Sequence, residues 1–128
     1  MYLSASVSAG NAPKLVDGLS DLTIVSPESV SLECKINLGD PKAEVHWYRD
    51  KKELAASKKY EMSQDGEDVA LVIKTTEPSD SGNYSCEAVN KLGKVKTQGT
   101  LVVNSKFFVY LQMALTFVLR ICFFKITV

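Results

Sequence analysis

The sequence predicts an all-β domain, and three observations predict it. Asp80, Gly82, Tyr84, Cys86 and Ala88 occupy every second position, with polar Ser81, Asn83, Ser85 and Glu87 between them. Val30, Leu32 and Cys34 alternate in the same way with Ser29, Ser31 and Glu33. Period two is the signature of a strand, because successive side chains point to opposite faces. The third observation is that Cys34 and Cys86 hold equivalent places in these two alternating runs. A buried cysteine is either a small hydrophobe or has a partner across the core. Both readings stand at this point, with Cys34 the candidate partner of Cys86.

In chain order, residues 13–16 and 19–24 read as two short strands, and 30–36 as a longer one burying Val30, Leu32, Cys34 and Ile36. Residues 45–49 read as a strand with Val45 and Trp47 inward and His46 and Tyr48 outward. The Lys-rich stretch 51–59 reads as a solvated loop or a short edge strand, since charge discourages edge pairing. Within it, Glu53–Ser57 is compatible with one marginal helical turn. Residues 60–63 and 69–74 read as a hairpin turned at Asp65-Gly66, with Val69, Leu71 and Ile73 inward. Residues 78–82 form a corner, and 82–89 form the strand that buries Tyr84, Cys86 and Ala88 and wets the rest. Asn90 to Gly93 reads as a hairpin loop, on the ground that Asn and Gly tolerate positive φ. Residues 93–103 then return antiparallel. The expected core adds Leu22, Ile24, Leu54, Leu101 and Val103.

The order Cys34, Trp47, Cys86, with Tyr84 two before the second cysteine, resembles the immunoglobulin fold. "DSGNYSC" carries the whole D-x-G-x-Y-x-C pattern. "PKAEVHWYRDKKEL" and "CEAVNKLGKVKTQGTLVV" narrow the resemblance to the I-set class, found in titin, twitchin and obscurin and in adhesion receptors. The resemblance implies a two-sheet sandwich over residues 12–104 with a split first strand. It implies that Cys34 and Cys86 face each other within disulfide reach against Trp47. It also implies that the Tyr84 hydroxyl bonds backbone around 77–80. Trp47, Leu71 and Tyr84 are the expected centre of the core. The chain departs from the family at Lys51-Lys52, where a glycine is common, and at "SPES", where a glycine often precedes the next strand. Both departures affect turns.

A chain of 128 residues exceeds the ~100 of one immunoglobulin domain by a little at each end. Residues 1–11 read as a disordered Ser/Ala-containing linker without the basic and apolar regions of a secretory signal. The formal net charge is zero, but the last 23 residues hold Lys106, Arg120 and Lys125 and no acid, which leaves residues 1–105 at −3. No basic stripe appears, so nucleic acid is not an expected partner. Residues 105–128 form a hydrophobic tail outside the domain. A bilayer-spanning helix needs about 20 apolar residues, and Arg120 and Lys125 interrupt this one. Three readings of the tail stand, in this order of weight: a segment foreign to the natural chain, a weak membrane anchor, and a partner-binding segment. An isolated helix or disordered strand touching little of the domain is expected.

Little in the sequence carries chemistry. His46, the one histidine, has no nucleophile and acid suggested beside it and reads as a surface residue. Asp65, Glu67 and Asp68 cluster around Gly66 but lack the ligand spacing of a calcium loop. Three cysteines with one histidine do not show zinc spacing. Asn83-Tyr84-Ser85 matches a glycosylation sequon, but within a strand. No catalysis and no cofactor are expected. The resemblance implies a structural and protein-binding module of a sarcomeric or cytoskeletal protein in the cytoplasm. The alternative is a membrane-anchored adhesion or receptor domain. The expected partner surface is the outer face carrying His46, Tyr48, Glu87, Val89 and Lys94.

Overall fold

The computed structural model describes residues 10–127. Most of the linker expected at 1–11 lies outside them. Nine strands form two sheets: β1 (Lys14–Asp17), β2 (Leu22–Val25), β3 (Val30–Asn37), β4 (Glu44–Arg49), β5 (Lys52–Leu54), β6 (Tyr60–Asp65), β7 (Asp68–Ile73), β8 (Gly82–Asn90) and β9 (Gly93–Asn104). One sheet has the order β1-β3-β7-β6 and the other β2-β9-β8-β4-β5. The first strand is split: β1 pairs antiparallel with β3, whereas β2 pairs parallel with β9. The result is the two-sheet sandwich expected of an all-β immunoglobulin-like chain.

The core lies between the sheets. β3 alternates without interruption, with Val30, Leu32, Cys34 and Ile36 buried and each residue between them exposed. Leu71 and Ile73 from β7 and Trp47, Tyr84, Cys86 and Leu101 from the opposite sheet complete it, each at most 1% exposed. The register places Cys86 beside Trp47, and Cys34 reaches Cys86 from the other sheet. Both cysteines are buried free thiols. The hydrogen bond between them favours the Cys34 thiolate and, together with burial, pushes the Cys86 thiol up.

Several expected core residues are only half-buried. Leu22, Ile24 and Leu54 sit on the edge strands β2 and β5, and Val45 on the end of β4 that β5 does not cover. A strand with one neighbour shields its inward side chains less. The helical turn considered at 53–57 is absent: residues 52–54 form β5 and the chain then bends. Gly66, at φ 62, opens the two-residue loop between β6 and β7. The hairpin between β8 and β9 uses a different device from the one expected. Neither Asn90 nor Gly93 has positive φ. Instead Asn90 Oδ1 accepts the Leu92 and Gly93 backbone N–H groups at 2.8 and 3.1 Å. Its Nδ2 donates to the carbonyls of Asn11 and Pro41. One side chain thus ties the hairpin to the domain's entry and to the loop before β4.

The corner before β8 is a 3-10 turn, Pro78–Asp80, in a reciprocal cap. Asp80 Oδ2 accepts the Glu77 N–H at 2.7 Å. Asp80 is 2% exposed, and its other oxygen meets Lys59 Nζ at 2.9 Å and Arg49 Nη1 at 3.6 Å. The hydrogen bond to Asp80 holds the Lys59 ammonium above its usual pKa. Next to it, the buried Tyr84 hydroxyl donates to the Asp80 carbonyl at 2.6 Å. Burial pushes that hydroxyl up to about 12, although nearby Arg49 favours ionisation.

After β9 comes helix α1 (Lys106–Thr127), which among the described residues makes no substantial contact with any strand. Phe107, Tyr110, Leu111, Met113, Leu115, Phe117 and Val118 are exposed along it. Among the described residues, no helix is long and apolar enough to cross a membrane.

Two outcomes are expected. Tyr84→Phe leaves the buried Asp80 carbonyl without its donor, so a denaturant midpoint should fall by the equivalent of about 1–3 kcal/mol. In the folded state the tyrosine pKa is about 12, against about 10 unfolded. Its contribution is therefore complete below pH ~10 and is lost as pH rises towards ~12. Melting curves of the two proteins should converge over that interval, and a constant gap would contradict the assignment. Separately, deleting 106–128 should leave the thermal midpoint nearly unchanged and raise solubility, because the removed segment carries Phe107, Tyr110, Leu111, Met113, Leu115, Phe117 and Val118 exposed to solvent. A large fall in midpoint would mean that α1 supports the sandwich.

Candidate functional site

Alternation leaves β4, β8 and β9 with one face in the core and the other in solvent, and the register aligns their outer residues in rows. Tyr48 stands opposite Ser85, which stands opposite Gln98. His46, Glu87 and Lys96 form the adjacent row, and Glu44, Val89 and Lys94 the row after that. The structure therefore brings His46, Tyr48, Glu87, Val89 and Lys94 onto one face. His46, Tyr48, Glu87 and Val89 are half-buried and Lys94 is exposed.

The face is polar and carries both signs. His46 Nδ1 lies 3.0 Å from Glu53 Oε2, and its Nε2 lies 3.6 Å from Glu44 Oε2. The imidazole is thus held between two carboxylates, and among the described residues no nucleophile bonds to it. Burial and the Glu87 and Glu53 carboxylates push the Tyr48 hydroxyl up. Among the described residues, no three His, Cys, Asp or Glu side chains gather as metal ligands. What the face offers is shape, charge and hydrogen bonding.

Over the end of the rows marked by Ser85 and Gln98 lies a groove of about 310 Å3 lined by Asp50, Lys51, Asn83, Ser85, Lys96 and Gln98. The sequence reading missed it. Lys96 and Gln98 follow Lys94 at period two, a signal available from the start. Ser85 was expected to be wetted, yet it is only 5% exposed. Its place between the larger Tyr48 and Gln98 shades it, and only the strand register reveals this. Asp50 and Lys51, in the turn between β4 and β5, have φ of 50° and 73°. Asp50 Oδ1 accepts the Asn83 backbone N–H at 3.0 Å, which anchors that turn to β8. Asn83 itself is exposed.

The family model for the immunoglobulin I-set domain matches residues 13–103. Titin of Drosophila melanogaster is 36% identical over 102 residues, covering 79% of this chain and 1% of that protein. Smooth-muscle myosin light chain kinase of Gallus gallus is 37% identical over 97 residues, covering 76% of this chain and 5% of the kinase. The cell adhesion molecule DSCAM of Rattus norvegicus is 35% identical over 102 residues, covering 80% of this chain and 5% of that protein. The chain thus spans a small fraction of each relative. Titin domains z1z2 in complex with telethonin superpose with a TM-score of 0.72 at 31% identity, over 76% of this chain and 49% of that one. The complex of titin M10 with obscurin-like 1 Ig gives 0.69 at 28%, over 73% and 94%.

One consequence concerns the turn. A left-handed backbone costs a side-chain-bearing residue roughly 1–2 kcal/mol, a penalty glycine escapes. Lys51→Gly is therefore expected to raise the denaturant midpoint by the equivalent of about 1 kcal/mol. An unchanged or lowered midpoint would show the turn to be unstrained.

Proposed function

This chain belongs to the immunoglobulin I-set family, and we propose that it serves as a non-catalytic spacing and protein-binding module within a longer, titin-like sarcomeric or cytoskeletal protein. The observation that carries the reading is the placement of entry and exit. Asn11 enters at the pole of the β8–β9 hairpin, bonded to Asn90. β9 then runs its 12 residues from Gly93 to leave at Asn104. At ~3.4 Å per residue the two ends are about 40 Å apart, at opposite poles. A domain built this way adds length when joined to neighbours end to end.

The same geometry bears on load. β2 lies near the start of the domain, and it runs parallel to β9 through Leu22↔Leu101 to Val25↔Asn104. Pulling the two ends apart loads that ladder in shear, so its hydrogen bonds share the force instead of opening one at a time. Several titin domains have the same fold, and solved titin domains occur in complexes with telethonin and with obscurin-like 1. The kinase relative matches only 5% of its length, and its catalysis is not carried over. A second reading, an extracellular adhesion domain, is favoured by the similarity to DSCAM and by the exposed Asn83 of the sequon.

Force spectroscopy on the domain, held at residues 12 and 104 between reference modules, tests the spacer reading. One cooperative event is expected, with a contour-length gain of roughly 300 Å at ~3.6 Å per unfolded residue. Val102→Pro, which disturbs the β2–β9 ladder, should lower its force. Extension without a resolvable peak would sink the reading. Recovery of the native protein glycosylated at Asn83 would favour the adhesion reading.

A further inference from the structure

We propose that the groove over Ser85 receives an acidic side chain of a protein partner, a proposal that rests on the protein-binding reading above and names its site. β8 turns Ser85 away from its core-facing neighbours Tyr84 and Cys86, so its side chain forms the groove floor. Ser85 is 5% exposed. Buried hydroxyls are normally hydrogen-bonded, yet among the described residues none pairs with this one. An unsatisfied donor therefore points into a groove open to an incoming group.

The remaining lining defines that group. Lys51 and Lys96 carry positive charge and, among the described residues, make no ion pair. The side-chain amides of Asn83 and Gln98 are likewise unpartnered among them and can donate. Asp50 is the single acid, and it is already engaged with the Asn83 backbone N–H at 3.0 Å. A hydroxyl, two amides and two ammonium groups are a donor set, and an ionised carboxylate accepts only. The nearby Asp50 charge disfavours a phosphate dianion more than a monoanion. At about 310 Å3 the groove suits one side chain better than a cofactor. Lys51 holds its position at φ 73°, where glycine would sit without strain. Residues kept in strained conformations gather at functional sites.

The test is a titration of the 15N-labelled full-length chain, followed through its backbone amides. Three probes are used: the acetylated, amidated peptide Gly-Glu-Glu-Gly, its Gly-Gln-Gln-Gly counterpart, and inorganic phosphate. The glutamate peptide should shift the amides of Lys51, Asn83, Ser85 and Gln98, and the effect should weaken as salt rises. K51G combined with K96Q should weaken binding at least tenfold, and S85A several-fold. K51G removes charge while relaxing the turn, so lost binding with an intact fold assigns the effect to the site. Equal shifts from the glutamine peptide, undiminished binding by the K51G/K96Q protein, or a stronger response to phosphate would each overturn the proposal. Such a failure leaves the spacer reading intact, because force spectroscopy measures that property independently.

Discussion

The sandwich depends on one column of side chains at its centre, where Trp47 and Cys86 from one sheet meet Cys34 from the other. Trp47 is 1% exposed and Cys86 is fully buried. An indole of this size removes a large apolar area from water, and packed sheets keep a fixed spacing of about 10 Å. The small Cys86 beside the ring and the small Cys34 across from it leave the indole room within that spacing. The column also fixes register. A slip of one residue in β3 or β8 would turn Cys34 or Cys86 outward and every buried neighbour with it.

At the edge of that column, Asp80 supplies the polar counterpart. A carboxylate 2% exposed requires partners. It finds them in Lys59 from the loop before β6, Arg49 from β4 and the Glu77 backbone N–H. These come from the five-stranded sheet, from the loop that leads into β6 and from the corner before β8. The lysine and arginine side chains remain about one-third exposed, so solvent screens the pairs. Their main effect is to satisfy a buried charge. Tyr84 then closes the corner by donating to the Asp80 carbonyl, which joins core packing to loop geometry.

With the core and corner held, the outer surfaces are free to carry function. The poles separate entry from exit, and the outer face of the five-stranded sheet presents rows of mixed charge with a donor-rich groove over their end. Both properties arise from strand direction and register. Neither requires a reactive side chain, in keeping with a family whose members are generally non-catalytic modules.

Period two, the two cysteines, Trp47 and Tyr84 determined the strands, the inward residues and the sandwich, because alternation is a local property and a buried aromatic declares its face wherever it stands. The Asp65-Gly66 turn was legible for the same reason: its backbone needs glycine at positive φ. The tertiary structure decided what depends on neighbours distant in sequence. Edge position leaves Leu22, Ile24 and Leu54 half-buried. Asn90 turned out to be a hydrogen-bonding hub because Asn11 and Pro41 come to it. Ser85 lost its solvent because the register sets it between Tyr48 and Gln98. A lone serine in an alternating strand reads as wetted, and only the side chains placed across from it by the ladder can shade it.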